Sequence, residues 1–156
     1  CAILEKVNVA LAEGDNRSMF VTVFMGILNV RTGNVSYANG GHNLPYLLSD
    51  KDIDAIPKCS GMALGAWRKA TFETASLQLQ PEQSVFCFTD GVTEAFNTDD
   101  EQYGEQRLEN ALRTLPCETA EQLIGDVKSN VADFTGDTPP SDDITMLMVR
   151  WLGKRS

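Results

Sequence analysis

The sequence predicts an α+β domain, and three observations carry the prediction. Apolar residues recur at helical spacing at the start of the chain and again across residues 104–134. Between these segments, short β-rich runs are separated by turn residues, and a further apolar run comes close to the end. At 156 residues, with no Pro/Gly/Ser-rich linker, the chain reads as one globular domain over 1–156, long enough to bury a real core.

Taken in order, "CAILEKVNVALAEGD" spaces Ile3, Leu4, Val7 and Leu11 as one helical stripe and meets a stop residue at Gly14. "MFVTVFMGILNV" and "VSYAN" read as strands joined by "RTGN", whose Gly33 and Asn34 tolerate the positive φ of a tight hairpin. "NGGHN" at residues 39–43 interrupts the pattern, with Gly40-Gly41 reading as a turn, and "LPYLLS" predicts a third strand. After the irregular "CSGMALGAW", the imperfect alternation of "TFETASLQLQ" predicts a half-exposed strand. "SVFCFT" is apolar almost throughout, as a central strand is. Two helices follow. Leu108, Ala111, Leu112 and Leu115 form the stripe of the first; Leu123, Ile124, Val127, Val131 and Phe134 form that of the second. Thr119 and Gln122 are spaced as a capping box for the second helix, and Gly136 ends it. "DDITMLMVRWL" predicts a final strand, apolar enough to be central.

Composition excludes some functions. The net charge of −9 comes with no basic cluster, which argues against a nucleic-acid partner. No apolar run approaches the roughly 20 residues of a membrane span. Cys1, Cys59, Cys87 and Cys117 form no C-x-x-C pair, and His42 is the single histidine, so zinc is disfavoured. A reduced, cytoplasmic compartment is the economical expectation, and no segment resembles a signal peptide. A chain that starts on Cys1 without methionine reads as a piece of something longer.

The acids carry the chemistry. Asp90 ends one apolar strand, and Asp142 with Asp143 begins another. If those strands are antiparallel neighbours, all three carboxylates reach one rim of the sheet, where they repel strongly unless a cation sits among them. Oxygen-only ligands favour hard cations, and without an EF-hand loop the choice falls on Mg²⁺ or Mn²⁺. Each acid also has a plain explanation: Asp90-Gly91 as a turn, Asp142-Asp143 as a solvated loop end.

"MFVTVFMGILNVRTGNVSYANGGHNLPYLL", "GMALG", "FCFTDGVTEAFN", "YGEQRL" and "SDDITMLMVR" together resemble the bacterial metal-dependent serine/threonine protein phosphatases, the sporulation stage II protein E-like branch of the protein phosphatase 2C superfamily. The resemblance runs from about Met19 to Arg150. It implies a four-layer α-β-β-α sandwich of two mostly antiparallel sheets with helices on the outer faces. It also implies a centre of two metals, Mn²⁺ or Mg²⁺, that activates water for in-line attack on phosphorus. Asp90 and Asp142 then become metal ligands and catalytic residues, Asp143 a neighbouring or alternative ligand, and Gly91 the point where backbone passes close to the site. No cysteine is followed six positions on by arginine, as a cysteine-dependent phosphatase requires, and there is no G-x-S-x-G elbow or P-loop. His42 is read as ordering its loop rather than as a general acid, and Glu94 as a packing or capping residue.

The resemblance implies a phosphorylated regulatory protein as substrate, typically an antagonist of an anti-sigma factor, and a sensory or receiver domain upstream in the same polypeptide. The family's Gly-Asp strand pair is absent from this chain, which therefore reads as the C-terminal portion of the domain. The expected consequences are weak metal binding, little turnover, and apolar surface that is exposed or pairs with another copy as a homodimer. The reading from a different class is a noncatalytic interaction module that keeps the fold.

Overall fold

In the computed structural model, which describes residues 2–13, 19–50 and 52–153, the chain divides into two compact units. The elements are α1 (Ala2–Glu13), β1 (Val23–Leu28), β2 (Asn34–Gly40), β3 (Tyr46–Leu48), β4 (Ile53–Ala55), β5 (Ala75–Gln78), β6 (Ser84–Phe88), α2 (Asp90–Thr93), α3 (Gly104–Thr114), α4 (Ala120–Thr135) and β7 (Met146–Arg150). The first unit contains Cys1–Leu44, Ile56–Pro81 and Gly153–Ser156; the second contains Pro45–Ala55 and Glu82–Leu152. Among the described residues the chain is thus α+β, with two antiparallel sheets and four helices.

In the first unit, α1 buries Leu4 and Asn8 and leaves Ile3, Val7 and Leu11 exposed. This corrects the expected stripe: of its four residues, Leu4 alone enters the core. The reason is polar. Asn8, one turn beyond Leu4, donates its side-chain amide to the carbonyls of Trp67 and Arg68 at 3.0 and 3.2 Å, and its Oδ1 accepts the Gly65 N–H at 2.9 Å. A buried amide must find such partners, so its bonds turn the Leu4–Asn8 face inward. Gly14, the expected stop residue, lies outside the described residues, as does Cys1.

The first sheet has the order β1-β2-β5, antiparallel throughout. Gly33 supplies the positive φ of the β1–β2 turn at 76°. β2 continues through Asn39 and Gly40, which pair with Phe24 and Val23, so the break expected from Asn39 begins two residues later, at Gly41. Leu4 packs with Ala38, Leu64, Ala70 and Phe72 to form this unit's core.

The second sheet has the order β4-β3-β6-β7, also antiparallel. β4 went unexpected because a strand of three residues is too short to show a readable period. β6 is central, as its apolar run predicts, but β7 is an edge strand of the described sheet. Its alternation is regular: Met146 and Met148 join the core, while Leu147 and Val149 are exposed. The run looked central because its outward positions are apolar as well.

Helices α3 and α4 supply the rest of that core. Leu108 and Leu112 from α3, and Leu123, Val127 and Val131 from α4, meet Phe86, Phe88, Tyr46 and Met148. Thr119 caps α4 by accepting the Gln122 N–H at 3.1 Å, and Gly136 follows its last turn. Arg150, at the end of β7, donates to the carbonyls of Cys117 and Glu118 and pairs with Glu82 at 3.0 Å.

Candidate functional site

β6 carries its chain to the acids through a buried run, Ser84 to Phe88, whose last ladder pair is Phe88 with Met146. Thr89 follows in extended conformation, and the chain then turns at once into α2, with Asp90 as its first residue. The Thr89 carbonyl accepts the Val92 N–H at 3.0 Å, and that of Asp90 accepts the Glu94 N–H at 2.7 Å. Asp90-Gly91 is therefore the first turn of a short helix rather than a hairpin turn.

On the neighbouring strand, Asp142 and Asp143 lie in the exposed segment that leads into β7. The strands are antiparallel and adjacent, as the placement of the acids at opposite ends of two apolar runs predicted. Read past its last named pair, the register sets Thr89 against Thr145 and Gly91 against Asp143. At Gly91 the two backbones pass close to one another. A Cβ built there would lie 2.6 Å from the Asp143 carbonyl oxygen and 3.3 Å from that of Asp142, a backbone collision that no rotamer relieves.

Asp90, Gly91, Asp142 and Asp143 are thus brought to one end of the β6–β7 pair. Asp90 and Asp142 each turn one oxygen back on the following amide: Oδ1 of Asp90 accepts the Gly91 N–H at 3.1 Å, and Oδ1 of Asp142 accepts that of Asp143 at 2.7 Å. Among the described residues, no group of three or more His, Cys, Asp or Glu side chains stands where it could hold a metal ion.

His42 belongs to the first unit. Its loop is ordered by its backbone: the His42 N–H donates to Asn39 Oδ1 at 2.7 Å, and its carbonyl accepts the Asn39 side-chain amide at 2.8 Å. The ring meets Thr22 Oγ1 through Nδ1 at 3.3 Å. Glu94 is the exposed C-cap of α2, and its carbonyl accepts the Ser141 hydroxyl at 3.0 Å. The hydroxyls of Thr89 and Ser141, which tie the Asp142 segment to the Asp90 segment, were missed from sequence. The one signal was a threonine wedged between an apolar strand and Asp-Gly.

The family model described as Stage II sporulation protein E (SpoIIE) matches residues 2–152. The chain belongs to the SpoIIE family. Among curated proteins, this SpoIIE-family chain is 33% identical over 141 residues to Protein IcfG of Synechocystis, covering 90% of the chain and 22% of that protein. It is 23% identical over 149 residues to the phosphoserine phosphatase RsbU of Bacillus subtilis, covering 95% of the chain and 44% of that protein. The chain therefore spans less than half the length of either relative.

Among solved structures, the SiaA-PP2C domain of Pseudomonas aeruginosa matches with a TM-score of 0.81 at 19% identity, over 96% of this chain and 59% of that one. The phosphatase domain of SpoIIE from Bacillus subtilis, presoaked with Mn, matches with a TM-score of 0.70 at 14% identity, over 99% of this chain and 67% of that one. The fold of the SpoIIE-family chain is that of PP2C-type phosphatase domains. No helix of the described residues is long and apolar enough to cross a membrane.

Proposed function

We propose that the chain hydrolyses phosphoserine or phosphothreonine on a regulatory protein, with Mn²⁺ or Mg²⁺ held by Asp90 and Asp142 and with Asp143 beside them. One observation carries the reading. At the end of an antiparallel strand pair, Gly91 lets the Asp90 backbone close on that of Asp142 and Asp143, in a chain that matches the SpoIIE family over residues 2–152.

The donors suit such a cation in kind, being exposed carboxylates and therefore oxygen ligands for a hard divalent ion. In number they fall short of a full ligand group, since no three or more His, Cys, Asp or Glu side chains are grouped to hold a metal ion among the described residues. When bound, the cation supplies charge neutralisation at the phosphoryl oxygens and activation of the attacking water. The chain's own contribution is to hold two aspartates on adjacent backbones, open to solvent, at a separation that Gly91 permits.

The similarity to a phosphoserine phosphatase supports serine as the phosphorylated residue. The substrate is proposed to be an antagonist of an anti-sigma factor, acted on in the cytoplasm. A sensory or receiver domain upstream in the same polypeptide and a homodimeric assembly complete the reading.

The test is release of phosphate from a phosphoserine peptide by the 156-residue chain with Mn²⁺. Release that stops with chelator and in Asp90→Asn supports the proposal, whereas release that is indifferent to chelator overturns it. The second reading, a noncatalytic interaction module, is favoured by the incomplete ligand set among the described residues. It expects the phosphorylated partner to be retained on the chain with no phosphate released.

A further inference from the structure

We infer that Thr89 is a positioning residue whose hydroxyl sets the spacing between Asp90 and the Asp142–Asp143 segment; the inference rests on the metal-site reading above. The difficulty Thr89 resolves is one of backbone accounting. In a continued antiparallel ladder, Thr89 and Thr145 would exchange both N–H···O bonds. The first is present, from the Thr89 N–H to the Thr145 carbonyl at 3.0 Å. The second cannot form in the usual way, because the Thr89 carbonyl has already turned to open α2 by accepting the Val92 N–H.

The side chain takes its place. Thr89 Oγ1 accepts the Thr145 N–H at 3.0 Å and donates its proton to the Asp143 carbonyl at 2.9 Å. The Thr145 carbonyl, at 3.5 Å from the same hydroxyl, is the poorer acceptor. One hydroxyl therefore extends the ladder by a rung while its residue starts a helix, and both aspartate-bearing segments hang from that rung. Ser141, donating to the Glu94 carbonyl at 3.0 Å, fastens the far side of the same segment. Preorganisation of this kind governs how well separated carboxylates chelate one ion, and loss of an outer partner of metal ligands typically costs 10–100-fold in affinity.

The experiment follows Mn²⁺-induced broadening of the Gly91 and Asp143 amide resonances in the ¹⁵N-labelled 156-residue chain, in wild type, Thr89→Val, Thr89→Ala, Thr89→Ser and Asp90→Asn. In wild type, both amides are expected to broaden together, and in Thr89→Ser at a midpoint within about threefold of it. Thr89→Val, which keeps the shape and loses the hydroxyl, is expected to need about tenfold more Mn²⁺ and to exchange its Thr145 amide proton faster. Should valine disperse poorly, Thr89→Ala removes the same hydroxyl and carries the same expectation. Valine and alanine variants that broaden at the wild-type midpoint, while Asp90→Asn abolishes broadening, overturn the inference and leave the metal reading intact. A serine variant as weak as valine also overturns it, by assigning the effect to the methyl group. A wild-type chain that broadens at neither amide overturns the metal reading, and the inference falls with it.

Discussion

Asp90 sits where a strand becomes a helix, and its carboxylate is exposed while its backbone is fixed on both sides. Asparagine preserves that shape and removes the charge. Asp90→Asn is therefore expected to fold with an unchanged denaturation midpoint, to lose Mn²⁺ binding, and to lower phosphate release about 100-fold or more, as read by metal titration and a phosphopeptide assay. His42→Ala is expected to cost less than about threefold, because the bonds that order its loop come from its backbone and Asn39. Asp90 was legible in the sequence because an acid followed by glycine at the end of an apolar run is an abrupt chemical change. Thr89 was not, since a β-branched residue at a strand end is what strand propensity alone supplies. Its role depends on a partner segment more than fifty residues away.

At the scale of the element, α1 and the Gly91 turn give opposite tests. Leu4→Ala is expected to destabilise the chain by about 2–5 kcal/mol, and Val7→Gln by no more than about 0.5 kcal/mol, in urea denaturation. The reverse ranking would restore the stripe first read from spacing. Gly91→Ala forces a methyl against the Asp143 carbonyl, so it is expected to cost about 1–3 kcal/mol and to weaken Mn²⁺ binding along with it. Local signals were read well. The cap of α4 at Thr119, the stripes of α3 and α4 and the buried run of β6 all follow from residues within a turn or two of one another. The inward face of α1 was misread because Asn8 takes its partners from residues 65–68, which no periodicity in the helix discloses. β7 was misread as central because apolar alternation on both faces describes a side chain's character and not its neighbours.

For the molecule as a whole, burial sets how the chain responds to alkali. It pushes the Cys87 thiol up to about 11 and raises the hydroxyls of Tyr46, Tyr37 and Tyr103; the Glu109 carboxylate adds to the rise at Tyr46. In each case the folded chain holds its proton more tightly than the unfolded chain. Their stabilising contribution is complete below about pH 9 and is lost as the pH climbs through about 11, with the tyrosines adding their share above about 10. The urea midpoint should fall steadily across that window, and Cys87→Ala should delay the onset; a midpoint that rose with pH would contradict both. A different consequence follows from the register of β6 and β7. Because side chains alternate across a strand, removing one residue between Asp143 and Met146 would turn every later position over, sending Leu147 and Val149 toward the helices and Met148 outward. An exchange of one side chain for another alters one contact, whereas a change of count inverts the ribbon. In any lineage that inherits this fold, the distance along the chain from the paired acids to the last strand should drift far less than the residues that fill it.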